Sequence, residues 1–276
     1  MILEAQGLTF AYPDGTQALS DLNLSIPRAR RLAILGPNGS GKTTLLLHLN
    51  GSLQPAAGEV RLDGAPASYR RADLLAWRRR VGLVLQDPDD QLFAPTLGED
   101  VAYGPLQAGL SKEEAKQAAR WAMEALRIQD LAHKPPHTLS YGQKKRAAIA
   151  GAVAMKPDIL LLDEPSAGLD GHGLAHLMAL LDHLVAGGMT LVFSTHDVDL
   201  ALAQADRVAL FHQGAVLAEG EARRVLGDEE SLKKAHLKRP WVLEVGLRAR
   251  QNGLIGQEDP LPVKRAEALA LLERMT

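Results

Sequence analysis

The stretch Leu32-Ala-Ile-Leu-Gly36-Pro-Asn-Gly-Ser-Gly-Lys-Thr43, running on into Thr44-Leu-Leu-Leu-His-Leu49, decides the fold. A short apolar run, read as a buried strand, feeds a turn of the form G-x-x-x-x-G-K-[ST] that opens into helix-forming sequence. This is the strand-loop-helix setting that a phosphate-binding loop requires. In Gly36-Pro37-Asn38-Gly39-Ser40-Gly41 the glycines would let the backbone curl so that successive amide N–H groups point inward. The helix that begins with Lys42, Thr43 and Thr44 would add its unpaired N-terminal donors and positive dipole end. Lys42 then reaches the β- and γ-phosphates, and the Thr43 hydroxyl serves Mg²⁺. The expected ligand is a nucleoside triphosphate.

Composition sets the outer limits. The chain has 276 residues, 46% of them apolar, enough for one substantial core with appendages. Lysine and arginine number 31 against 33 aspartates and glutamates, giving −2. No overall field favours nucleic acid or acidic lipid, and no nucleic-acid partner is expected. Cysteine is absent, which excludes disulfides and thiolate metal sites and suits a reducing compartment. Met1-Ile-Leu-Glu4 leads straight into strand-like sequence and lacks the pattern of a signal peptide. No apolar run approaches the ~18 to 20 residues of a membrane span, so a membrane role is expected through a partner.

Along the chain, Leu3 to Tyr12, Ala18 to Ile26 and Gly58 to Gly64 read as strands separated by turn signals. After Pro88 the texture becomes helical. Ser111-Lys-Glu-Glu114 has the form of a capping box, and a helical pattern continues through Trp121 and Met123 to about Gln129. A helical subdomain over about 88–156 is predicted. Parallel-sheet texture returns in Ile159-Leu-Leu-Leu162 and Thr190-Leu-Val-Phe193, with the helical stretch Gly173 to Val185 between them. The fold class is α/β, a nucleotide-binding core with a helical insertion.

Ile159-Leu-Leu-Leu162 delivers two adjacent carboxylates, Asp163 and Glu164, to the end of a buried strand, where acids without partners are rare. Beside a phosphate loop the first suits Mg²⁺ and the second suits the attacking water. Successive strand residues point to opposite sides, so the two need not share a task.

Between these elements lies Leu139-Ser140-Tyr141-Gly142-Gln143, followed by the basic helical stretch Lys144 to Ala150. Phosphate loop, this signature and the acidic strand end together resemble the ATP-binding cassette (ABC) ATPases, over about Leu3 to Leu226. The resemblance implies a P-loop NTPase core with N-terminal antiparallel strands and a helical signature subdomain. It also implies ATP with Mg²⁺, and a head-to-tail dimer with a second copy, in which one subunit's loop and the other's signature enclose the nucleotide. On that reading Ser140, Gly142 and Gln143 act across the dimer. From the residues alone, Ser140 is an ordinary helix N-cap. Tyr141 stands where glycine is commonest, and geometry and hydrolysis are expected to survive this departure.

The resemblance assigns further roles. Tyr12 matches the aromatic that stacks on adenine, Gln86 the glutamine that contacts Mg²⁺ or water, and His196 the switch histidine beside Glu164. Asp170 lies in the turn that crosses the dimer interface in relatives. The catalytic set is thus Glu164, His196, Lys42 and Gln86, and the metal set Thr43, Gln86 and Asp163. The other eight histidines of the nine show no metal-binding spacing.

The runs Gln86 to Phe93 and Glu99 to Leu110 resemble the ATPases of energy-coupling-factor importers, and among these the cobalt-transport ones. ATPases of vitamin importers or exporters, and soluble non-transport ABC ATPases, are the alternatives. The resemblance implies integral membrane subunits as partners, engaged through the loop from Gln86 to Phe93, and a peripheral place on the cytoplasmic face of the cell membrane. Leu92 and Phe93 either anchor such a partner or close the core beneath the helical insertion. The ATPase domain is read as 1–239. In the extension 240–276, Trp241 to Leu247 reads as a strand or packed segment and Lys264 to Arg274 as an amphipathic helix. Too small to hold a core alone, it is expected to dock and to contribute to dimerisation.

Overall fold

The computed structural model describes residues 1–274. Its strands are β1 (Leu3–Ala11), β2 (Gln17–Ile26), β3 (Arg31–Leu35), β4 (Ala57–Leu62), β5 (Ala65–Pro66), β6 (Val81–Val84), β7 (Ile159–Leu162), β8 (Thr190–Thr195), β9 (Arg207–His212) and β10 (Ala215–Glu221). They form a four-stranded antiparallel sheet in the order β2-β1-β4-β5 and a six-stranded sheet in the order β10-β9-β3-β8-β7-β6. In the larger sheet β6, β7, β8, β3 and β9 run parallel, and β10 returns antiparallel along one edge.

Residue type explains the difference between the sheets. All of β7 and β8 is buried, as expected of parallel strands covered on both faces. Their alternate residues belong to two separate cores. Ala33, Leu35, Leu160, Leu162, Leu191 and Phe193 face the helical side. Leu32, Ile34, Ile159, Leu161 and Val192 face the antiparallel sheet. The helix α1 (Lys42–Leu49) lies in the second core, where Leu45, Leu46 and Leu49 are fully buried. Each such leucine contributes about 1.5–3 kcal/mol relative to exposure. The short helix following the phosphate loop is thus held between two sheets.

Next come α2 (Arg71–Arg80), α3 (Leu97–Gln107), α4 (Lys112–Ala125) and α5 (Tyr141–Ala154), and the last three pack on one another. The capping box expected at Ser111 is present, with Glu114 bonding back to the Ser111 amide at 2.8 Å. The helix ends earlier than its periodicity suggests: Leu126 caps it and Arg127 turns into the left-handed region. The remaining helices are α6 (Gly171–Ala186), α7 (Val198–Gln204), α8 (Ala222–Gly227), α9 (Glu229–Lys234), α10 (Trp241–Gln251) and α11 (Arg265–Glu273). Trp241 to Leu247, open to a strand reading, is helical, because Val242, Leu243 and Gly246 fall on one buried stripe of α10. Val242, Leu243 and Ala268 join the main core, whereas Trp241, Leu269 and Leu272 stay exposed. No helix among the described residues is long and apolar enough to cross a membrane.

Candidate functional site

Since β3, β8, β7 and β6 are parallel neighbours, their carboxyl ends lie on one edge of the sheet. That edge is where open α/β sheets place ligands. Leu35 leads into the phosphate loop, Leu162 into Asp163 and Glu164, Thr195 into His196, and Val84 toward Gln86. Tyr12, Asn38, Gly39, Gly41, Lys42, Thr43, Thr44, Gln86, Asp163 and Glu164 line one cavity of about 330 Å³. Residues from 12 to 164 in the sequence meet there, through the order of the parallel strands and the packing of the antiparallel sheet beside α1.

The loop geometry requires glycine at its end. Gly41 has φ 103, and a Cβ there would stand 2.4 Å from the Ala18 carbonyl oxygen. The buried Lys42 ammonium donates to the carbonyls of Gly36 at 2.8 Å and Pro37 at 3.0 Å. Burial pushes its pKa down, and the carboxylates of Glu164 and Asp163 pull the other way. Tyr12 packs edge-on against Phe10, and its hydroxyl shares a 3.0 Å hydrogen bond with the Thr44 hydroxyl. Its partly exposed ring therefore forms one wall of the cavity.

At the strand ends the two acids are separately held. Thr43 donates its hydroxyl to Asp163 Oδ2 at 2.6 Å, and Ser194 donates to Asp163 Oδ1. The Ser194 oxygen accepts the Glu164 amide at 3.0 Å, so one hydroxyl orients both acids. Glu164 has φ 45, a left-handed conformation unusual outside glycine and held here by its neighbours. Its Oε1 lies 3.0 Å from His196 Nδ1, while its Oε2 is buried without a partner. The glutamate side chain is only 6% exposed against 66% for the histidine, so an inward carboxylate is held from the solvent side. Ser40 Oγ is a second buried polar atom lacking a partner. Orphaned polar atoms of this kind are what a ligand or water satisfies.

Ser140, Gly142 and Gln143 lie elsewhere. With Gly168 and Asp170 they line a separate depression of about 560 Å³. Ser140 and Gln143 form a reciprocal cap at the start of α5, the Ser140 amide reaching Gln143 Oε1 at 2.9 Å. The Asp170 carboxylate accepts from the Gly173 amide at 2.6 Å and so caps α6. Within one chain the signature does not meet the phosphate loop.

The loop after Gln86 separates its two apolar residues. Leu92 packs on the main core, whereas Phe93 is 65% exposed, its ring set edge-on at 4.9 Å to Tyr103. Both line a groove of about 400 Å³ with Leu75, Leu83 and Tyr103. Gln91 ties this loop to β6, accepting the Leu85 amide at 3.1 Å and donating to the Leu83 carbonyl at 3.2 Å. Asp100 accepts the amides of Phe93 and Ala94, both at 2.7 Å.

Sequence reading missed Ser194, Gln91 and Lys145. Ser194 carried a usable signal, a hydroxyl that follows the apolar run Leu191 to Phe193 two residues before a candidate histidine. Lys145 carried none, yet it is fully buried and donates to the carbonyls of Leu85, Gln86 and Asp163. Burial pushes its pKa down to about 8, against the pull of Asp163, Glu164 and Asp87.

Comparison with known proteins agrees with this geometry. The profile of the ABC transporter family matches residues 19–167. The cobalt import ATP-binding protein CbiO of Rhodobacter capsulatus is 56% identical over 98% of this chain and 96% of its own. The energy-coupling factor transporter ATP-binding protein EcfA of Methanocaldococcus jannaschii is 46% identical over 95% of this chain and 92% of its own. Among solved structures, CbiO1 of Clostridium perfringens, part of the CbiONQ ABC transporter complex, superposes with a TM-score of 0.73 at 38% identity, covering 92% of this chain and 97% of that one. A dimeric ATP-binding cassette in a post-hydrolysis state with ADP and Pi superposes with a TM-score of 0.74 at 30% identity, covering 80% and 99%.

Proposed function

This chain belongs to the ATP-binding subunits of ABC transporters, in the energy-coupling-factor import branch, and hydrolyses ATP to drive transport; from that premise we propose the cargo, the partners and the residues that do the work. The cargo is cobalt or a related transition metal ion. Support comes from the cobalt import relative, which matches almost the whole chain. Two copies close head to tail on ATP, at the cytoplasmic face of the cell membrane and under integral membrane subunits. Residues 1–239 form the ATPase domain, with 88–156 as its helical subdomain. The extension 240–276, with Trp241, Leu269 and Leu272 exposed, serves contact between copies.

One observation carries the mechanism: Glu164 has one carboxylate oxygen held by His196 and the other buried and unpaired at the edge of the phosphate-loop cavity. Lys42 and the loop amides hold the phosphates, and Tyr12 stacks on the base. Asp163, the Thr43 hydroxyl and Gln86 offer only oxygen donors, which fits Mg²⁺. These residues would hold the ion, which would supply neutralisation of phosphate charge. Glu164 orients the attacking water and takes its proton, and His196 holds Glu164 in place. Ser140 and Gly142 present the α5 N-terminus to the other copy's γ-phosphate.

Phe93 and the groove beside it are the proposed seat of the membrane subunit. Purification of the tagged chain from detergent-solubilised membranes of its own host tests the assignment. A small set of integral membrane subunits, one of them metal-binding, should co-purify, and Phe93→Asp should lose them while still binding ATP. Recovery of the chain alone, or with ribosomes or DNA, would overturn the transport role.

A further inference from the structure

Tyr141, the departure within the signature, reaches two neighbours outside its own helix. Its hydroxyl donates to the Gln86 carbonyl at 2.9 Å. Its ring lies against Gly168, where φ is +72 and a Cβ would stand 2.0 Å from a ring carbon. One turn further along α5, Lys145 donates to the same Gln86 carbonyl at 2.9 Å, to that of Leu85 at 2.9 Å and to that of Asp163 at 3.1 Å. A carbonyl oxygen has two lone pairs and an ammonium has three N–H bonds, so these contacts use the full capacity of both groups. Lys144 adds a 2.6 Å ion pair with Asp89 of the same loop. Residues one turn apart share a helix face, which is why Tyr141 and Lys145 can grip one peptide together.

We propose that Tyr141 and Lys145 form a clamp on the Gln86 carbonyl that positions Gln86 and makes its loop move as one piece with the signature turn. The proposal rests on the ATPase reading above. Gln86 lines this chain's own nucleotide cavity, whereas Ser140 lines the depression that serves the second copy. Displacement of the loop by a membrane subunit therefore reaches both nucleotides of the dimer at once. Through Gly168 the same ring also reports on the turn leading to Asp170. Tyr141 and Lys145 are positioning residues here, because they act on Gln86 through its carbonyl, while the Tyr141 ring also borders the depression that Ser140 lines.

The test uses the whole chain and Tyr141→Phe, which deletes only the hydroxyl. ATP turnover should fall about fivefold, the scale of one lost hydrogen bond, with ATP affinity unchanged. Hydrogen exchange at the amides of Asp90, Gln91 and Leu92 should quicken by a similar factor. In a Gln86→Ala background the same change should leave turnover where Gln86→Ala alone puts it, since coupled residues are not additive. Lys145→Met is a poor probe, as it leaves three buried carbonyls without their donor. An equal loss of turnover with and without the Gln86 side chain, or unchanged loop exchange in Tyr141→Phe, would overturn the clamp. Absence of hydrolysis by the unsubstituted chain would instead overturn the catalytic reading, and the exchange comparison would still decide the clamp.

Discussion

Helices α1 and α5 both begin at a turn that borders a cavity, yet they are finished differently. At α1 the N-cap is Gly41 in a left-handed conformation, with no side chain capping the amides. At α5 the N-cap is Ser140, whose hydroxyl takes the Gln143 amide while Gln143 reaches back to Ser140. An uncapped helix start enclosed by Lys42, Asp163 and Glu164 is prepared for phosphate before anything binds. The self-capped start spends the Gln143 amide on its own cap and leaves the Ser140 hydroxyl proton as the side-chain donor for a phosphate on the proposed reading. On the proposed function the comparison implies an order of events: ATP would settle first on α1, and α5 would engage once a second copy brings a γ-phosphate within reach.

The largest expected effect belongs to the α1 side. Glu164→Gln should lower hydrolysis by about 10²-fold or more while ATP-bound dimers accumulate, measurable by turnover and by sizing chromatography with ATP. Undiminished turnover would move the catalytic role to another carboxylate. Next comes the α5 side: Ser140→Ala should weaken ATP-driven dimer formation by about 10-fold or more, the scale of a hydrogen bond to a charged group, without changing ATP affinity of the monomer. Loss of monomer binding in that variant would break the proposed division between the two helix starts. Ser194→Ala removes the hydroxyl shared by Asp163 and Glu164, and turnover should fall roughly 10-fold as two modest hydrogen bonds disappear. Smallest is Tyr12→Leu. Adenine loses its stacking partner and ATP affinity should drop about 3-fold, within the range of one aromatic contact.

Much of this was legible in the sequence because the informative residues are contiguous. The loop from Gly36 to Thr43, the strand ending in Asp163 and Glu164, and the capping box at Ser111 each lie within a few residues, where local backbone chemistry governs shape. The end of α4 and the helical state of Trp241 to Leu247 were less legible. Both depend on which face meets the core, and an apolar stretch of seven residues suits either period. Phe93 and Leu92 could not be told apart from type alone, since adjacent residues point to different surroundings. One packs on the core and the other on Tyr103 at the surface.

By itself the sequence determined the α/β class, the phosphate loop and the paired acids, because each is a local pattern with its own steric or electrostatic cause, while the signature was read through resemblance to a family. Only the tertiary structure decided that Ser194 holds both acids, that Tyr141 and Lys145 meet on the Gln86 carbonyl, and that the signature lies apart from its own phosphate loop. Those contacts join residues 31, 55 and 59 positions apart. The first follows from strand order, which sets β7 beside β8, and the other two from the packing of α5 against the end of β6. Long-range pairing of this kind leaves no periodic trace in the chain.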